Sequence, residues 1–244
     1  MKKILSLAAC ASALLAFGDA VESDVIATVG VTAINSGLQN TILAVSYGDL
    51  ESGNIKIESL VKTTNLKAGD ELRVYSGNSY SSWTLDADGG KWVAPAMFSK
   101  DANGDDSNGL GADAKTTVPV GVGIWLMRKS GDWANTPFYI YGAPITTKDV
   151  PLKAGWNLIG NPTQKAADLS KLKAIPGDRI LDSSRKEYTL DSTGWYYTET
   201  ATETKTIRGE PKTVVTTTKK YETPAIDAGL GFWYYTQTAE PINW

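Results

Sequence analysis

The chain contains 244 residues, of which 42% are hydrophobic, and its 24 basic and 27 acidic side chains give a formal charge of −3. It has no histidine and one cysteine, Cys10, which excludes Ser-His-Asp and Cys-His catalytic centres and the usual zinc and copper sites. Mild acidity without a basic tract argues against nucleic acid and anionic membrane surfaces as partners.

Residues 1–20 have the pattern of a secretory signal peptide. Two lysines precede an apolar run over residues 4–17, and small residues follow up to Ala20, after which cleavage is expected. The run is too short to remain as a transmembrane anchor. In an alternative interpretation Cys10 carries a lipid, although the apolar run continues beyond it. We expect a mature chain without disulfides that is secreted/extracellular or held at the outer cell surface.

The sequence after this segment predicts an all-β fold. Short stretches rich in Val, Ile, Thr, Tyr and Trp recur roughly every ten residues, separated by Gly, Asn, Asp and Pro. One helix of one or two turns is predicted within Lys165–Ile175. The expected fold class is two tandem, sequence-related β-sandwich or barrel units, which cover residues 21–142 and 143–244.

The first unit contains an insertion rich in Asp, Asn and Gly at residues 99–115. Carboxylate and amide oxygens at alternate positions are typical of calcium-binding loops. Asp106 stands where such loops have glycine and Ala112 stands where they have a bidentate glutamate, so a solvated, turn-rich loop is the alternative. The candidate Ca²⁺ ligands are Asp101, Asn103, Asp105 and Asp106.

A repeated phrase relates the two units. Gly121–Met127 reads GVGIWLM, and Gly229–Tyr235 reads GLGFWYY. Each phrase begins 52 positions after a Gly-Asp pair, which starts at Gly69 in the first unit and at Gly177 in the second. The offset of 108 residues is too long for a solenoid repeat. It indicates tandem domains or two halves of one pseudo-symmetric domain.

The repeated glycines and tryptophans are interpreted as structural. Glycines inside a strand mark a bulge or a close backbone approach, and a Gly-x-Gly pair without a following helix does not fit a dinucleotide site. Tryptophans at equivalent places in both copies are predicted to lie in the core. The eight residues are Gly121, Gly123, Trp125, Gly229, Gly231, Trp233, Trp92 and Trp195.

The second unit contains a threonine-rich insertion at residues 198–222. Threonine alternates with other residues over 196–207 and 212–221, on either side of an Arg-Gly-Glu-Pro turn, which predicts a β-hairpin. An isolated two-stranded ribbon is marginally stable, so it must lean on the body, pair with a partner or move. Both insertions occupy the same slot of the repeat, where binding functions are often found.

Aromatic residues that the repeat constrains less are candidates for a contact surface. The chain has eight tryptophans and eleven tyrosines, and flat rings on a sheet face can stack on carbohydrate. Trp83 belongs to this group as well. The tentative ligand-binding residues are Trp133, Tyr196, Tyr197, Tyr234 and Tyr235.

Paired carboxylates are the remaining route to catalysis, because two acidic residues can hydrolyse a glycoside without histidine. The repeat pairs Asp70 with Asp178 and Asp86 with Asp191, next to predicted strands. Turn formation is the simpler explanation for all four. No catalytic residue is therefore assigned.

The beginning of the second unit resembles a known class of modules. Leu152–Pro162 reads LKAGWNLIGNP and is followed by the Gly-Asp strand, by DSTGWYY and by GLGFWYY. In this pattern the chain resembles a loosely defined class of extracellular all-β modules from secreted and surface proteins of Gram-negative bacteria. The first unit departs at Asn40–Leu50, which lacks the Trp-Asn and Asn-Pro pairs, so its membership depends on the repeat. The resemblance implies a module without established catalysis and transfers no site residues.

The sequence as a whole predicts a secreted or cell-surface, non-catalytic β protein that acts in adhesion or envelope assembly. The expected partner is a surface glycan, another protein or further copies of the chain. A carbohydrate-binding module is the alternative, and an Asp-based glycan hydrolase is a third hypothesis. No cofactor is expected apart from the candidate Ca²⁺ ion.

Overall fold

The structure is a computed structural model, and strands, sheets and contacts are given for the part of the chain that it describes. The predicted signal peptide, Cys10, Trp133 and the candidate ligands Asp101, Asn103 and Asp105 lie outside this part. The described residues are 30–34, 37–48, 54–56, 66–75, 80–86, 92–93, 98–100, 106–108, 117–129, 131, 138–144, 149–207 and 210–244.

Short strands account for the regular structure of the first half of the chain. They alternate with turns, as the Gly, Asn and Asp punctuation predicts. The strands are β1 (Gly30–Ile34), β2 (Asn40–Ala44), β3 (Tyr47–Gly48), β4 (Asn54–Lys56), β5 (Glu71–Tyr75), β6 (Tyr80–Leu85), β7 (Trp92–Val93), β8 (Phe98–Lys100), β9 (Asp106–Asn108), β10 (Thr117–Pro119), β11 (Gly123–Met127) and β12 (Phe138–Pro144).

The second half contains eight further strands and one short 3₁₀ helix among the described residues. Two of its strands are much longer than the others, and they lie where the threonine alternation predicts a hairpin. The strands are β13 (Asp149–Val150), β14 (Gly155–Gly160), β15 (Arg179–Leu181), β16 (Glu187–Leu190), β17 (Trp195–Ile207), β18 (Glu210–Tyr221), β19 (Gly231–Thr236) and β20 (Ile242–Asn243), and the 3₁₀ helix is Leu169–Leu172.

Two larger antiparallel sheets organise the fold. The first sheet has the order β2-β11-β5-β6-β7, and the second sheet has the order β14-β19-β15-β16-β17-β18. In each sheet the Gly-x-Gly-Trp strand lies between an edge strand and the strand that follows the Gly-Asp pair. None of the described sheets closes on itself. The predicted all-β class is confirmed.

Each larger sheet covers its own hydrophobic core. The first core lies between the first sheet and the smaller sheets β1-β12-β3 and β10-β4, which contribute Ile34, Ile140 and Val118. The second core lies between the second sheet, strands β13 and β20, and the 3₁₀ helix. Leu230 packs against both cores, so the two apolar clusters meet at the Gly-x-Gly segment of the second half.

The predicted helix is present, but it is shorter than Lys165–Ile175. It is a single 3₁₀ segment that begins after Asp168, whose carboxylate accepts a hydrogen bond from the amide of Ser170. Leu169 and Leu172 are buried against the second core. The described residues contain no helix that is long and apolar enough to cross a membrane.

The two larger sheets meet along a seam of reciprocal backbone contacts. The amide of Ala44 donates to the carbonyl of Gly229 at 2.9 Å, and the amide of Gly160 donates to the carbonyl of Gly121 at 3.0 Å. Isolated bridges join Leu43 to Leu230 and Val122 to Ile159 in the same way. These four backbone contacts therefore form two reciprocal pairs.

The glycines of the repeated phrase make this close approach possible. A Cβ atom on Gly231 would lie 2.7 Å from the carbonyl oxygen of Ile159, and one on Gly123 would lie 2.9 Å from Leu158. Gly121 and Gly229 adopt positive φ angles of 85° and 78°, a region that favours glycine. For Gly123 and Gly231 the predicted close backbone approach is confirmed, and the approach joins two sheets.

Candidate functional site

The repeated tryptophans lie on the outer faces of the two sheets. In β11, Ile124 and Leu126 are fully buried in the first core and Trp125 is half-buried. In β19, Phe232 and Tyr234 are buried and Trp233 is half-buried. Successive side chains of a strand point to opposite faces. Both tryptophans therefore point away from the cores.

An aromatic groove opens where these outer faces meet at the seam. It has a volume of about 290 Å³. Tyr75 and Tyr80 come from the first sheet, and Trp156, Leu181 and Trp233 come from the second. Neither sheet alone forms this groove, because its lining residues come from both.

The rings of the groove contact one another mainly edge to face. The centroids of Tyr75 and Trp233 are 4.9 Å apart, and those of Trp156 and Trp233 are 6.3 Å apart, with interplanar angles of 69° and 88°. Tyr80 lies 6.4 Å from both Trp125 and Trp233. Edge-to-face contacts of this kind hold the rings in fixed orientations. The groove is thus a preformed aromatic surface.

Charged side chains border the groove on the second sheet. The guanidinium carbon of Arg179 lies 5.1 Å from the ring of Trp156 and 4.7 Å from that of Tyr235. Its Nη1 donates to Glu187 at 3.1 Å. The arginine therefore offers planar hydrogen-bonding groups beside the aromatic surface, with a neighbouring carboxylate that balances its charge.

A second arginine–glutamate pair lies on the first sheet. Nε of Arg73 donates to Glu71 at 2.8 Å, and this hydrogen bond is the main reason that the pKa of Glu71 falls below its usual range. Burial is the main cause that raises the pKa of Tyr80, followed by repulsion from Tyr75. The Tyr80 phenol therefore stays protonated at neutral pH, and the border of the groove is polar with balanced charges.

The predicted core role of the four tryptophans is correct for two of them. Trp92 is 3% exposed within the first core, and Trp195 packs against the second. For Trp125 and Trp233 the prediction is wrong, because both lie on the outer faces beside the groove. They recur in both halves because both sheets present an outer face at the seam.

The predicted contact tyrosines separate onto different faces of the second sheet. Tyr235 lies on the outer face, 5.4 Å from Trp156. Tyr196 shares that face but stacks near Tyr221 at the base of the ribbon, with 5.8 Å between centroids. Tyr197 lies on the opposite face, 5.8 Å from Tyr188. Of these tyrosines only Tyr235 lies beside the groove, in contact with Trp156, and it is not one of the lining residues.

Two predicted contact residues are buried, and their assignment is corrected. Tyr234 is 1% exposed, and its hydroxyl donates to Asp178 at 2.7 Å. Trp83 is 2% exposed within the first core. In each strand an inward position forces the ring into the core, because alternate side chains share one face. Neither ring can form a contact surface.

The repeated Gly-Asp aspartates fasten turns. Asp70 accepts hydrogen bonds from the amides of Lys67 and Lys129, both at 2.9 Å. Asp178 accepts the equivalent bonds from Ile175 and Gln237 at 3.1 and 3.2 Å. Both aspartates are 1% exposed. This geometry bears out the turn interpretation and places neither carboxylate at a surface where a substrate would bind.

Asp191 anchors the base of the ribbon. Its carboxylate accepts hydrogen bonds from Lys219 Nζ, from the Tyr221 hydroxyl and from the amides of Thr193 and Gly194. These hydrogen bonds lower the pKa of Asp191 to about 2, and the bond from Lys219 has the largest effect. Its counterpart Asp86 is half-buried directly after β6. Asp191 is therefore a structural carboxylate.

The described residues contain no group of three or more acidic, histidine or cysteine side chains that could hold a metal ion. Asp106 lies in β9, opposite Lys100. The other three candidate Ca²⁺ ligands are outside the described residues. The calcium hypothesis therefore stays a prediction.

Sequence reasoning missed Tyr75, Tyr80 and Trp156 as site residues. In GIWLM and GFWYY the tryptophan stands between two residues that face the core, so strand alternation alone predicts an outward ring. For Tyr75, Tyr80 and Trp156 the sequence carries no comparable signal. Their proximity depends on how two sheets pack across the seam.

The arrangement can bind a ligand that has both an apolar face and polar edges. Ring faces would contact the apolar part, while phenol and guanidinium groups at the border would donate hydrogen bonds. No protein-family model, curated protein or solved structure matches the chain. The function is therefore argued from this geometry alone.

Proposed function

We propose that this protein is a secreted or cell-surface, non-catalytic binding protein that holds a carbohydrate chain in the aromatic groove and acts in adhesion. The observation that carries the proposal is the groove between the sheets, walled by Tyr75, Tyr80, Trp156 and Trp233. Sugar rings have an apolar C–H face that stacks on aromatic rings and equatorial hydroxyls that bond to polar edges.

The size and charge of the groove favour a neutral sugar. A volume of about 290 Å³ is at the small end for binding pockets, which hold small molecules at ~300–1,000 Å³. Arg179 and Arg73 are each paired with a glutamate, so the border carries little net charge. An acidic glycan would have to displace one of these carboxylates. We therefore expect a short segment of an uncharged polysaccharide to bind.

The test is a glycan array followed by calorimetry on the purified protein and on two groove variants, Tyr80→Ala and Trp233→Leu. Each variant removes one ring of the surface, and we expect at least about tenfold weaker binding, as for a central aromatic contact residue. Tyr221→Ala is the matched control, since it removes an exposed aromatic ring outside the groove. It should bind like the unsubstituted protein.

Two outcomes would contradict the proposed function. One is that no glycan binds the unsubstituted protein. The other is that Tyr221→Ala weakens binding as much as the groove variants do, which would place the contact surface at the ribbon base. Near-ultraviolet circular dichroism of each variant separates a lost contact from lost folding.

We also propose that the two larger sheets are two copies of one unit related by a twofold axis. The matching strand orders and the reciprocal contacts of Ala44 with Gly229 and of Gly160 with Gly121 support this, because reciprocal contacts are typical of a twofold interface. In experimental coordinates, superposing the first sheet on strands β14-β19-β15-β16-β17 should require a rotation of about 180°. A much smaller rotation would contradict the proposal.

A further inference from the structure

β18 forms an open edge of the second sheet. Among the described residues it pairs only with β17, in one register that runs from Tyr196 opposite Tyr221 to Ile207 opposite Glu210. The side chains of its central part are mostly exposed. A long edge with unpaired N–H and C=O groups is a template for another strand.

The direction of the backbone groups in β18 follows from Pro211. Proline has no N–H, so Pro211 and Thr206 cannot form a hydrogen-bonded pair. Hydrogen-bonded and non-hydrogen-bonded pairs alternate along an antiparallel ladder. Glu222, in the same register, donates its amide to the carbonyl of Trp195 at 3.0 Å. Even-numbered residues therefore bond to β17. Odd-numbered ones, including Val215, direct their N–H and C=O groups outward.

The base of the ribbon is fixed to the body on both of its faces. On one face Lys219 and Tyr221 bond to Asp191, each at 3.0 Å. On the other face Lys186 bonds to Glu222 at 2.9 Å and lies 3.4 Å from the ring of Tyr197. These contacts hold the open edge in place before any partner arrives, which lowers the entropic cost of association.

We propose that β18 pairs with β18 of a second copy of this chain, antiparallel and around a twofold axis, with Val215 opposite Val215 of the second copy. This pairing joins two six-stranded sheets edge to edge. It also places Glu210 of each copy opposite Lys220 of the other copy, so the dimer contains two such pairs. Both side chains are exposed, and opposite charges directly across a strand pair are stabilising.

The charges along β18 favour this register over its nearest neighbours. With Val215 opposite itself, Lys212 faces Thr218 and Lys219 faces Pro211, so no lysine opposes a lysine. A shift of one residue in either direction pairs an outward-facing residue with an inward-facing one. Moving the centre of the pairing from Val215 to Thr216 sets Lys212 against Lys220. Moving it to Val214 sets Glu210 against Thr218, so the Glu210–Lys220 pairs are lost. Edge lysines usually prevent edge association, and in the proposed register each Lys220 faces a glutamate instead.

A closed dimer fits the ribbon better than an open chain of copies. An open chain would pair β18 with the outer edge of β17, but β16 already occupies that edge at Trp195 and Tyr196. The edge of β18 has no such neighbour among the described residues. The twofold pairing can therefore use nearly the whole strand, and it consumes the open edge of β18 in both copies.

The test is analytical ultracentrifugation of the purified protein and of two proline variants. Val215→Pro removes an outward N–H from the middle of β18, and we expect it to be monomeric. Thr202→Pro is the matched control, because Thr202 lies opposite Val215 and directs its N–H to the outer edge of β17. It should remain dimeric. A monomeric unsubstituted protein, or a dimer that survives Val215→Pro, would overturn the proposal.

A charge exchange tests the register itself. Glu210→Lys and Lys220→Glu each create two like-charge pairs in the dimer, and each should weaken dimerisation by about tenfold. The double variant restores opposite charges and should recover the original dissociation constant. If the double variant is as weak as the single ones, or if filaments form that Thr202→Pro abolishes, the proposed pairing is wrong.

Discussion

The first and second sheets share a strand order but differ in what they add to it. Both hold a buried aspartate that fastens the Gly-Asp turn, and both present an outward tryptophan at the seam. Among the described residues only the second sheet is extended into a long ribbon, by β18. Its buried aspartate also accepts a hydrogen bond from Tyr234, whereas the first sheet has Leu126 at the equivalent position. The shared parts define the scaffold, and the ribbon and the buried tyrosine distinguish the second sheet from the first.

The largest expected effect comes from the two buried aspartates. Asp70→Ala leaves two backbone amides without an acceptor and should lower the free energy of unfolding by about 3 kcal/mol. Asp178→Ala also leaves the buried Tyr234 hydroxyl without its acceptor and should cost about 5 kcal/mol. Urea denaturation of both variants measures the difference. Equal losses would contradict the added role of the tyrosine.

Tyr234→Phe is the control for this comparison. It removes only the third hydrogen bond and leaves the two backbone bonds of Asp178, so a loss of about 1 kcal/mol is expected. Burial, followed by its hydrogen bond to Asp178, raises the pKa of Tyr234, so the phenol stays protonated. The comparison should therefore be independent of pH in the neutral range.

An intermediate effect is expected at the seam, where the second sheet has Gly160 against Ala44 of the first. A Cβ atom on Gly160 would collide with the side chain and backbone of Ala44. Gly160→Ala should therefore cost about 2–3 kcal/mol in thermal or urea unfolding. Gly155→Ala in the same strand is the control, since it has open space and a positive φ of 99°, and about 1 kcal/mol is expected.

The seam prediction can be sharpened with a second substitution. Ala44→Gly combined with Gly160→Ala moves the methyl group from one side of the seam to the other. If the two sides are equivalent, the double variant should recover most of the stability that Gly160→Ala loses. No recovery would show that the two sides of the seam are packed differently.

The smallest effect is the pH response of the ribbon base. The pKa of Asp191 is lowered from 3.8 to about 2, chiefly by its hydrogen bond from Lys219. A lowered pKa means that the stabilisation is complete above about pH 4 and is lost as the pH falls towards 2. Hydrogen exchange at the amide of Glu222, which donates to the carbonyl of Trp195, should accelerate over that window. Asp191→Asn should show faster exchange already at neutral pH and little further change on acidification.

Much of the scaffold follows from local sequence signals. Alternating β-formers with Gly and Asn turns predict the strands, and the threonine alternation predicts the long ribbon. The Gly-Asp pairs predict turns fastened by Asp70 and Asp178, since a short carboxylate bonds to nearby amides. These features depend on neighbours a few residues away, and they can be predicted because a strand or turn of a given sequence has few alternatives.

The site was predicted less well because its residues are brought together by packing. The repeat placed Trp125 and Trp233 at equivalent positions, but equivalence does not say whether a side chain faces the core or the seam. Strand alternation settles the face once the inward residues are known. The surface prediction for Tyr234 and Trp83 is wrong for a related reason. The sheet register is needed to show that both side chains point into a core.

The sequence by itself determined that this chain is built from β-strands, that its halves share turns and glycines, and that histidine-based sites are excluded. Only the tertiary structure decided that rings from two sheets form one groove and that β18 has no second neighbour among the described strands. The reason is physical: backbone propensities and turn chemistry act between near neighbours, whereas the groove and the edge depend on which strands pair across the seam and which strand is left without a neighbour.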